Sequence, residues 1–160
     1  QWVNTYIANT EPDLVILSDQ PFHPISDGDA KAEKNHDQLW EAGLNTALGN
    51  LTALSNKIVY FGVPSTAKGL VDCVQAGGVL GKNCTAQSAW FDRYISVQEE
   101  VSLNFSVPFI NPNDWLCYTG ECPPIIDNTP VFWDGSHLTQ NMASKLGPLF
   151  RAFLLENGLL

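Results

Sequence analysis

The chain has 160 residues, of which 44% are hydrophobic and 16% are charged, a composition typical of one globular domain rather than of a disordered segment. Its formal net charge is -9 and only 8 residues are lysine or arginine, which argues against nucleic acid or anionic lipid as a partner, because each phosphate contact needs a basic side chain. The apolar runs all fall short of the ~20 residues that cross a bilayer, and the sequence shows no signal peptide.

Helix-like and strand-like segments alternate along the chain. Apolar residues at helical spacing predict helices at 1–9, 37–55, 86–101 and 139–155. Short apolar runs bounded by turn residues predict strands at 14–17, 58–63, 107–110, 125–126 and 131–133. The first two runs are continuously apolar, as in a parallel sheet covered on both faces, while Pro108 places the third at a sheet edge or at a strand start. We therefore predict a three-layer α/β/α, flavodoxin-like sheet in a single domain that spans residues 1–160.

The four cysteines form two local pairs, Cys73 with Cys84 and Cys117 with Cys122. Neither pair has the C-x2-C spacing of a zinc knuckle, and no histidine lies within a few residues of them. The even count and the short separations favour two local disulfides over a metal site. Disulfides are typical of an oxidising compartment, so we expect the chain to lie outside the cytoplasm.

The clearest catalytic signal is Asp134-Gly135-Ser136-His137, which lies at the end of the last predicted strand and just before the terminal helix. An aspartate three residues before a histidine can direct its carboxylate at imidazole Nδ1, which fixes the tautomer and leaves Nε2 to take a proton from a hydroxyl. We predict that His137 is a general base and that Asp134 orients it. The alternative is that Asp134 caps the terminal helix and that His137 is an ordinary surface residue.

The chain offers no convincing nucleophile for this pair. Ser18 follows a predicted strand, at the edge of the sheet where the carboxyl ends of parallel strands meet, but it lacks the sharp glycine turn that exposes a nucleophilic serine. Ser18 is therefore a candidate nucleophile or oxyanion-loop residue, and the alternative is a polar turn residue. His23 and His36 flank the acidic loop 27–33, but their spacing fits no known metal site, so we predict neither a metal nor another cofactor.

The block Asp134-Gly135-Ser136-His137-Leu138-Thr139, followed by a terminal helix, resembles the last conserved block of the SGNH hydrolases. The closer resemblance is to the extracytoplasmic SGNH domain fused behind membrane O-acyltransferases of the acyltransferase-3 type. Those domains similarly carry a turn like Val63-Pro64-Ser65 after a middle strand, and a cysteine pair in the next loop. They also carry a W-x-C…C-P segment like Trp115-Leu116-Cys117 with Cys122-Pro123, so that the ordered resemblance covers residues from about 57 to 155.

The resemblance implies serine-type O-acyl transfer, above all O-acetyl transfer, or O-ester hydrolysis on a cell-envelope polysaccharide. It implies that a glycan is the acyl acceptor. It also implies that an N-terminal membrane acyltransferase domain tethers the chain at the periplasmic side or the cell surface.

Two motifs of the family are missing from the chain. No Gly-Asp-Ser occurs, and Leu17-Ser18-Asp19-Gln20 stands where the family has the oxyanion block G-x-N-D. We therefore expect that the first strand, with the nucleophile, precedes Gln1, and that these residues are the inactive C-terminal portion of a longer enzyme. The alternative is a non-catalytic carbohydrate- or partner-binding module that retains the hydrolase fold.

Overall fold

The computed structural model describes residues 2–19, 21, 36–65, 84–87, 91–134 and 137–160. The helices are Trp2–Thr10 (α1), His36–Thr52 (α2), Asp92–Asn104 (α3), Asn113–Leu116 (α4) and Gln140–Glu156 (α5). The strands are Val15–Leu17 (β1), Ile58–Phe61 (β2), Ala86–Gln87 (β3), Phe109–Ile110 (β4), Glu121–Cys122 (β5), Ile125–Ile126 (β6) and Thr129–Pro130 (β7). Among these helices, none combines the length and the apolar character needed to cross a bilayer.

The chain divides into two compact units, residues 1–63 with 94–110, and residues 64–93 with 111–160. The first unit contains a parallel sheet in the order β1-β2-β4. Val15 lies opposite Ile58, and Tyr60 lies opposite Phe109. The α/β class that the alternation of helices and strands predicts is therefore confirmed.

The core of the first unit forms around the central strand, β2, whose first three residues are at most 3% exposed. Leu39 belongs to the apolar periodicity that predicts α2, but it is 41% exposed. On one face, helices α2 and α3 bury side chains at helical spacing. These are Trp40, Leu44, Leu48, Leu51, Tyr94, Ile95, Gln98 and Val101. A Cβ atom on Gly62, just after β2, would lie 2.7 Å from the ring of Phe109, so any other residue here would displace that ring.

Strand β1 is less buried than its continuous apolar run predicts. Val15 and Leu17 are half-buried, and Ile16 is 55% exposed. Among the described residues β1 pairs only with β2, so it forms one edge of this sheet. The third predicted strand forms the other edge, and Pro108, which has no N–H, contributes its carbonyl to the backbone N–H of Tyr60 at 2.9 Å.

Two predicted elements differ from the structure. The helix expected at 86–101 begins only at Asp92, because Ala86–Gln87 pair as a strand with Glu121–Cys122. The strand predicted at 131–133 is shifted by two residues, so that Thr129–Pro130 pair with Ile125–Ile126 and the segment 131–133 forms only an isolated bridge. The shift follows from the tight turn at positions 127 and 128, where both residues have positive φ, as two-residue hairpin turns require.

The second unit is built on one hydrophobic cluster. Its buried members are Leu116, Val131, Phe132, Met142 and Leu146. Helix α5 begins at the N-cap Thr139, whose hydroxyl accepts from the backbone N–H of Met142 at 3.1 Å and donates to the carbonyl of Pro130 at 2.6 Å. The terminal helix is therefore capped by Thr139 rather than by Asp134.

Candidate active site

Asp134 and His137 lie in direct contact. Oδ2 of Asp134 is 2.7 Å from Nδ1 of His137, and Oδ1 accepts a hydrogen bond of 2.8 Å from the backbone N–H of the same histidine. The carboxylate thus holds both the ring and the main chain of one residue. A proton on Nδ1 that points at this carboxylate leaves Nε2 as the basic nitrogen of the ring.

The loop that carries this pair has a rigid base. Phe132 and Leu138 form an antiparallel bridge, and the backbone N–H of Trp133 donates to the carbonyl of His137 at 2.8 Å. Phe132 is 3% exposed within the hydrophobic cluster, whereas the side chains of His137 and Asp134 are 79% and 47% exposed. The buried end of the loop therefore fixes the position of an imidazole that is open to solvent.

Ser18 is exposed and follows β1 directly, as predicted. It belongs to the first unit, whereas Asp134 and His137 belong to the second. The structure brings the histidine and the aspartate together within the second unit.

The residue after Ser18 forms a polar site that the sequence analysis missed. Oδ1 of Asp19 accepts from the hydroxyl of Tyr60 and from Nε2 of Gln98, the latter at 2.7 Å. Oδ2 accepts from Nε1 of Trp40 at 2.6 Å. We call these three donors the Asp19 cage. It joins the end of β1 to α2, β2 and α3, and nothing in local spacing predicts it, because the donors are 21, 41 and 79 residues away along the chain.

The donors of the Asp19 cage are more deeply buried than Asp19 itself. Tyr60 and Gln98 are both fully buried, and Oε1 of Gln98 accepts from the backbone N–H of Val63 at 3.1 Å, which fixes the orientation of the amide. Burial, and next the negative charge of Asp19, raise the pKa of Tyr60 far above its ordinary value. The phenol therefore stays protonated and donates to Asp19 throughout the physiological range.

Ser65, the last residue of the Val63-Pro64-Ser65 turn, is fixed within the second unit by Asn113. The backbone N–H of Ser65 donates to Oδ1 of Asn113 at 2.7 Å, and Ser65 is 1% exposed. The hydroxyl of Ser65 has no hydrogen-bond partner among the described residues. The start of α4 therefore holds Ser65 through its backbone N–H.

Cys117 and Cys122 form a disulfide with an S–S distance of 2.01 Å. Cys84 is also disulfide-bonded, and Cys73, its predicted partner, lies outside the described residues. The Cys117–Cys122 disulfide closes a short hairpin, in which Tyr118 pairs with Glu121, and this hairpin borders a cleft of about 370 Å³.

The part of the chain that the structure describes contains no cluster of histidine, cysteine and acidic residues with metal-binding geometry. Nδ1 of His36 is 3.3 Å from Oδ1 of Asp37. His23 and the acidic loop 27–33, the other parts of the metal alternative, lie outside the described residues.

A family model, the SGNH domain fused to AT3 (acyltransferase-3) domains, matches residues 1–152. A solved structure, that of the periplasmic domain of the lipopolysaccharide acetyltransferase of Salmonella serovar Paratyphi A, is similar in fold, with a TM-score of 0.63 and 17% sequence identity. The match covers 92% of this chain and 60% of that chain. The comparison with proteins of curated function gives no match. Since the family model covers nearly the whole chain, the chain belongs to the SGNH domains fused to AT3 domains.

Proposed function

We propose that this chain supplies the acid–base half of a serine-type O-acyl transfer, above all O-acetyl transfer, or O-ester hydrolysis on a cell-envelope polysaccharide. The observation that carries the proposal is the double contact of Asp134 with the ring and the backbone of His137. An exposed contact of this kind between a carboxylate and an imidazole contributes little to the free energy of unfolding. Its geometry is therefore better explained by the need to orient an imidazole than by the need to stabilise the fold.

In the proposed reaction His137 transfers protons in both directions. Nε2 takes the proton of a serine hydroxyl as the serine oxygen attacks the carbonyl carbon of the acyl donor, and the imidazolium then gives this proton to the departing oxygen. In the second half, Nε2 takes the proton of a glycan hydroxyl or of water, whose oxygen attacks the acyl-serine, and the serine oxygen recovers the proton as it leaves. Asp134 stabilises the imidazolium in both halves.

We place the nucleophilic serine in a part of a longer protein outside these residues. No Gly-Asp-Ser occurs in the sequence, and Ser18 has no glycine turn beside it. The fusion to acyltransferase-3 domains that characterises the family supports a membrane acyltransferase domain as the partner in the same protein.

We further propose that the domain works outside the cytoplasm, tethered to the membrane by this partner domain. The Cys117–Cys122 disulfide supports an oxidising compartment. The similar solved structure, which is a periplasmic domain, supports the same location.

The test is acetyl transfer to envelope polysaccharide, or ester hydrolysis, by the full-length protein with His137→Ala. Positioned acid–base groups contribute roughly 10²–10⁴-fold to a rate, so we expect a loss in that range. Asp134→Asn, which keeps the side-chain shape and removes the charge, should also lower the rate. His36→Ala is the matched control, because His36 also contacts a neighbouring aspartate and is expected to leave the rate unchanged.

A melting temperature close to that of the wild type should accompany the His137→Ala variant, because the side chain is largely exposed. A rate equal to that of the His36→Ala control would contradict the proposal.

The second candidate is a non-catalytic carbohydrate- or partner-binding module. The absence of Gly-Asp-Ser and of G-x-N-D from the sequence favours it. The upstream reading frame decides between the two: a strand that ends in Gly-Asp-Ser within about 60–100 residues, the length of one or two βα units and their loops, favours the enzyme. An upstream frame without such a strand favours the module.

A further inference from the structure

The cleft beside the Cys117–Cys122 hairpin has walls suited to a sugar. Its lining includes Asp92, Asn111, Asn113, Asp114 and Tyr118, and its volume of about 370 Å³ lies within the range of small-molecule sites. Carboxylate and amide oxygens accept hydrogen bonds from hydroxyl groups, and an aromatic face packs against the C–H face of a pyranose. The described residues that line the cleft include no lysine or arginine to attract an anion.

Tyr118 is 81% exposed but is held on a rigid turn. Its backbone N–H donates to the carbonyl of Glu121 at 2.8 Å, and the N–H of Glu121 donates back at 3.0 Å. Thr119 and Gly120 between them have φ of 49° and 80°, and the Cys117–Cys122 disulfide closes the turn from outside. The backbone under the ring is thus fixed before a ligand binds, so only the two side-chain torsions of Tyr118 lose freedom when a ligand packs on the ring.

The polar wall of the cleft is also ordered in advance. Nδ2 of Asn111 donates to Oδ1 of Asp114 at 3.1 Å, and Oδ1 of Asn111 accepts from the backbone N–H of Asn113 at 3.1 Å. Asn113 is only 7% exposed, and its amide nitrogen donates no hydrogen bond to a described residue. A buried amide of this kind, which borders a cleft, is a donor suited to a ligand oxygen.

The cleft and the loop that carries His137 both pack on the hydrophobic cluster of the second unit. Leu116, at the end of α4, and Phe132, at the base of the His137 loop, both belong to the hydrophobic cluster of the second unit. A sugar held at α4 is therefore held by the same rigid base that positions His137.

We propose that this cleft binds one neutral sugar ring of the acyl acceptor, with Tyr118 as the stacking surface and Asp114 and Asn113 as hydrogen-bonding groups. As a description of an acceptor subsite, this rests on the proposed function. The carboxylates of Asp92 and Asp114 repel anionic rings, so the neutral sugars are favoured over uronic acids.

The test is saturation-transfer NMR of the full-length protein with the methyl glycosides of glucose, galactose, mannose and rhamnose at concentrations up to about 20 mM, where weak binding is measurable. At least one glycoside should bind. Loss of one aromatic contact corresponds to a weakening of about three- to tenfold, which is expected for Tyr118→Ala. Tyr118→Phe keeps the ring and should bind within about twofold of the wild type. Tyr6→Ala removes another exposed tyrosine, from α1, and should leave binding unchanged.

Binding of none of the four glycosides would overturn the proposal, as would equal affinity of the Tyr118→Ala and Tyr6→Ala variants. Methyl glucuronide that binds as well as the best neutral glycoside would overturn the preference for a neutral ring. His137→Ala separates the two proposals, because sugar binding should survive this substitution while acyl transfer is lost. Transfer that survives in His137→Ala, with sugar binding lost in Tyr118→Ala, would refute the catalytic role and support the sugar site.

Discussion

Replacement of Asp19 by alanine is expected to destabilise the chain strongly. The substitution removes the acceptor of three donors, Tyr60, Gln98 and Trp40. Tyr60 and Gln98 are fully buried, so we expect water to compensate only in part for the lost carboxylate at these two groups. A buried donor without a partner costs about 1–3 kcal/mol, and with a smaller contribution from Trp40 we expect the free energy of unfolding to fall by about 3–6 kcal/mol.

The assay is equilibrium unfolding in urea, followed by tryptophan fluorescence and by circular dichroism. Asp13→Ala is the matched control, because Asp13 is exposed just before β1 and its loss should change the free energy of unfolding by less than about 0.5 kcal/mol. Adding Tyr60→Phe to Asp19→Ala removes one orphaned donor, so the double variant should regain about 1–2 kcal/mol relative to simple addition of the two losses.

The physical reasoning would be refuted if Asp19→Ala were as stable as the Asp13→Ala control, or if the two substitutions at positions 19 and 60 were additive. Should Asp19→Ala not fold at all, Tyr60→Phe alone provides the measurement, with an expected loss of about 1–2 kcal/mol. A Tyr60→Phe variant as stable as the wild type would then refute the reasoning equally.

Two predictions concern pH. The pKa of Tyr60 is higher in the folded than in the unfolded state, so its contribution to the free energy of unfolding is complete below the ordinary tyrosine pKa of about 10 and falls as the pH rises above that value. In Tyr60→Phe the urea midpoint should therefore fall less steeply with pH in this range. An unchanged dependence of the midpoint on pH would disprove this prediction. The hydrogen bond from Nζ of Lys145, and its charge, lower the pKa of Asp127, so the stability from this pair is present above the ordinary aspartate pKa and is lost as the pH falls. Lys145→Met should raise the pKa of Asp127 toward its ordinary value in a carboxyl NMR titration, and an unshifted titration would count against the ion pair.

Local contacts could be predicted from the sequence, and distant ones could not. The Asp134–His137 contact spans three residues, so the spacing alone brings the two groups within reach. Helix α2 follows from its own apolar periodicity, which marks the face it buries. The sequence predicts a helix at the short strand Ala86–Gln87, because the residues that pair with this strand lie 34 and 36 positions further along the chain.

The Asp19 cage was missed for the same reason. A single aspartate after an apolar strand has no pattern of its own, and its donors are a tyrosine in a strand, a tryptophan on α2 and a glutamine on α3. Only the packing of these elements reveals that the carboxylate is shared among them.

The two carboxylate sites also differ in the length of chain that each must close during folding. The entropy of loop closure rises with the logarithm of the loop length, so the three-residue Asp134–His137 contact forms early and at little cost, within its own loop. The Asp19–Gln98 contact spans 79 residues and forms only when the strands and helices between them have assembled. Formation of the Asp19 cage therefore requires that the first unit has folded cooperatively. The contact between Asp134 and His137 does not require it.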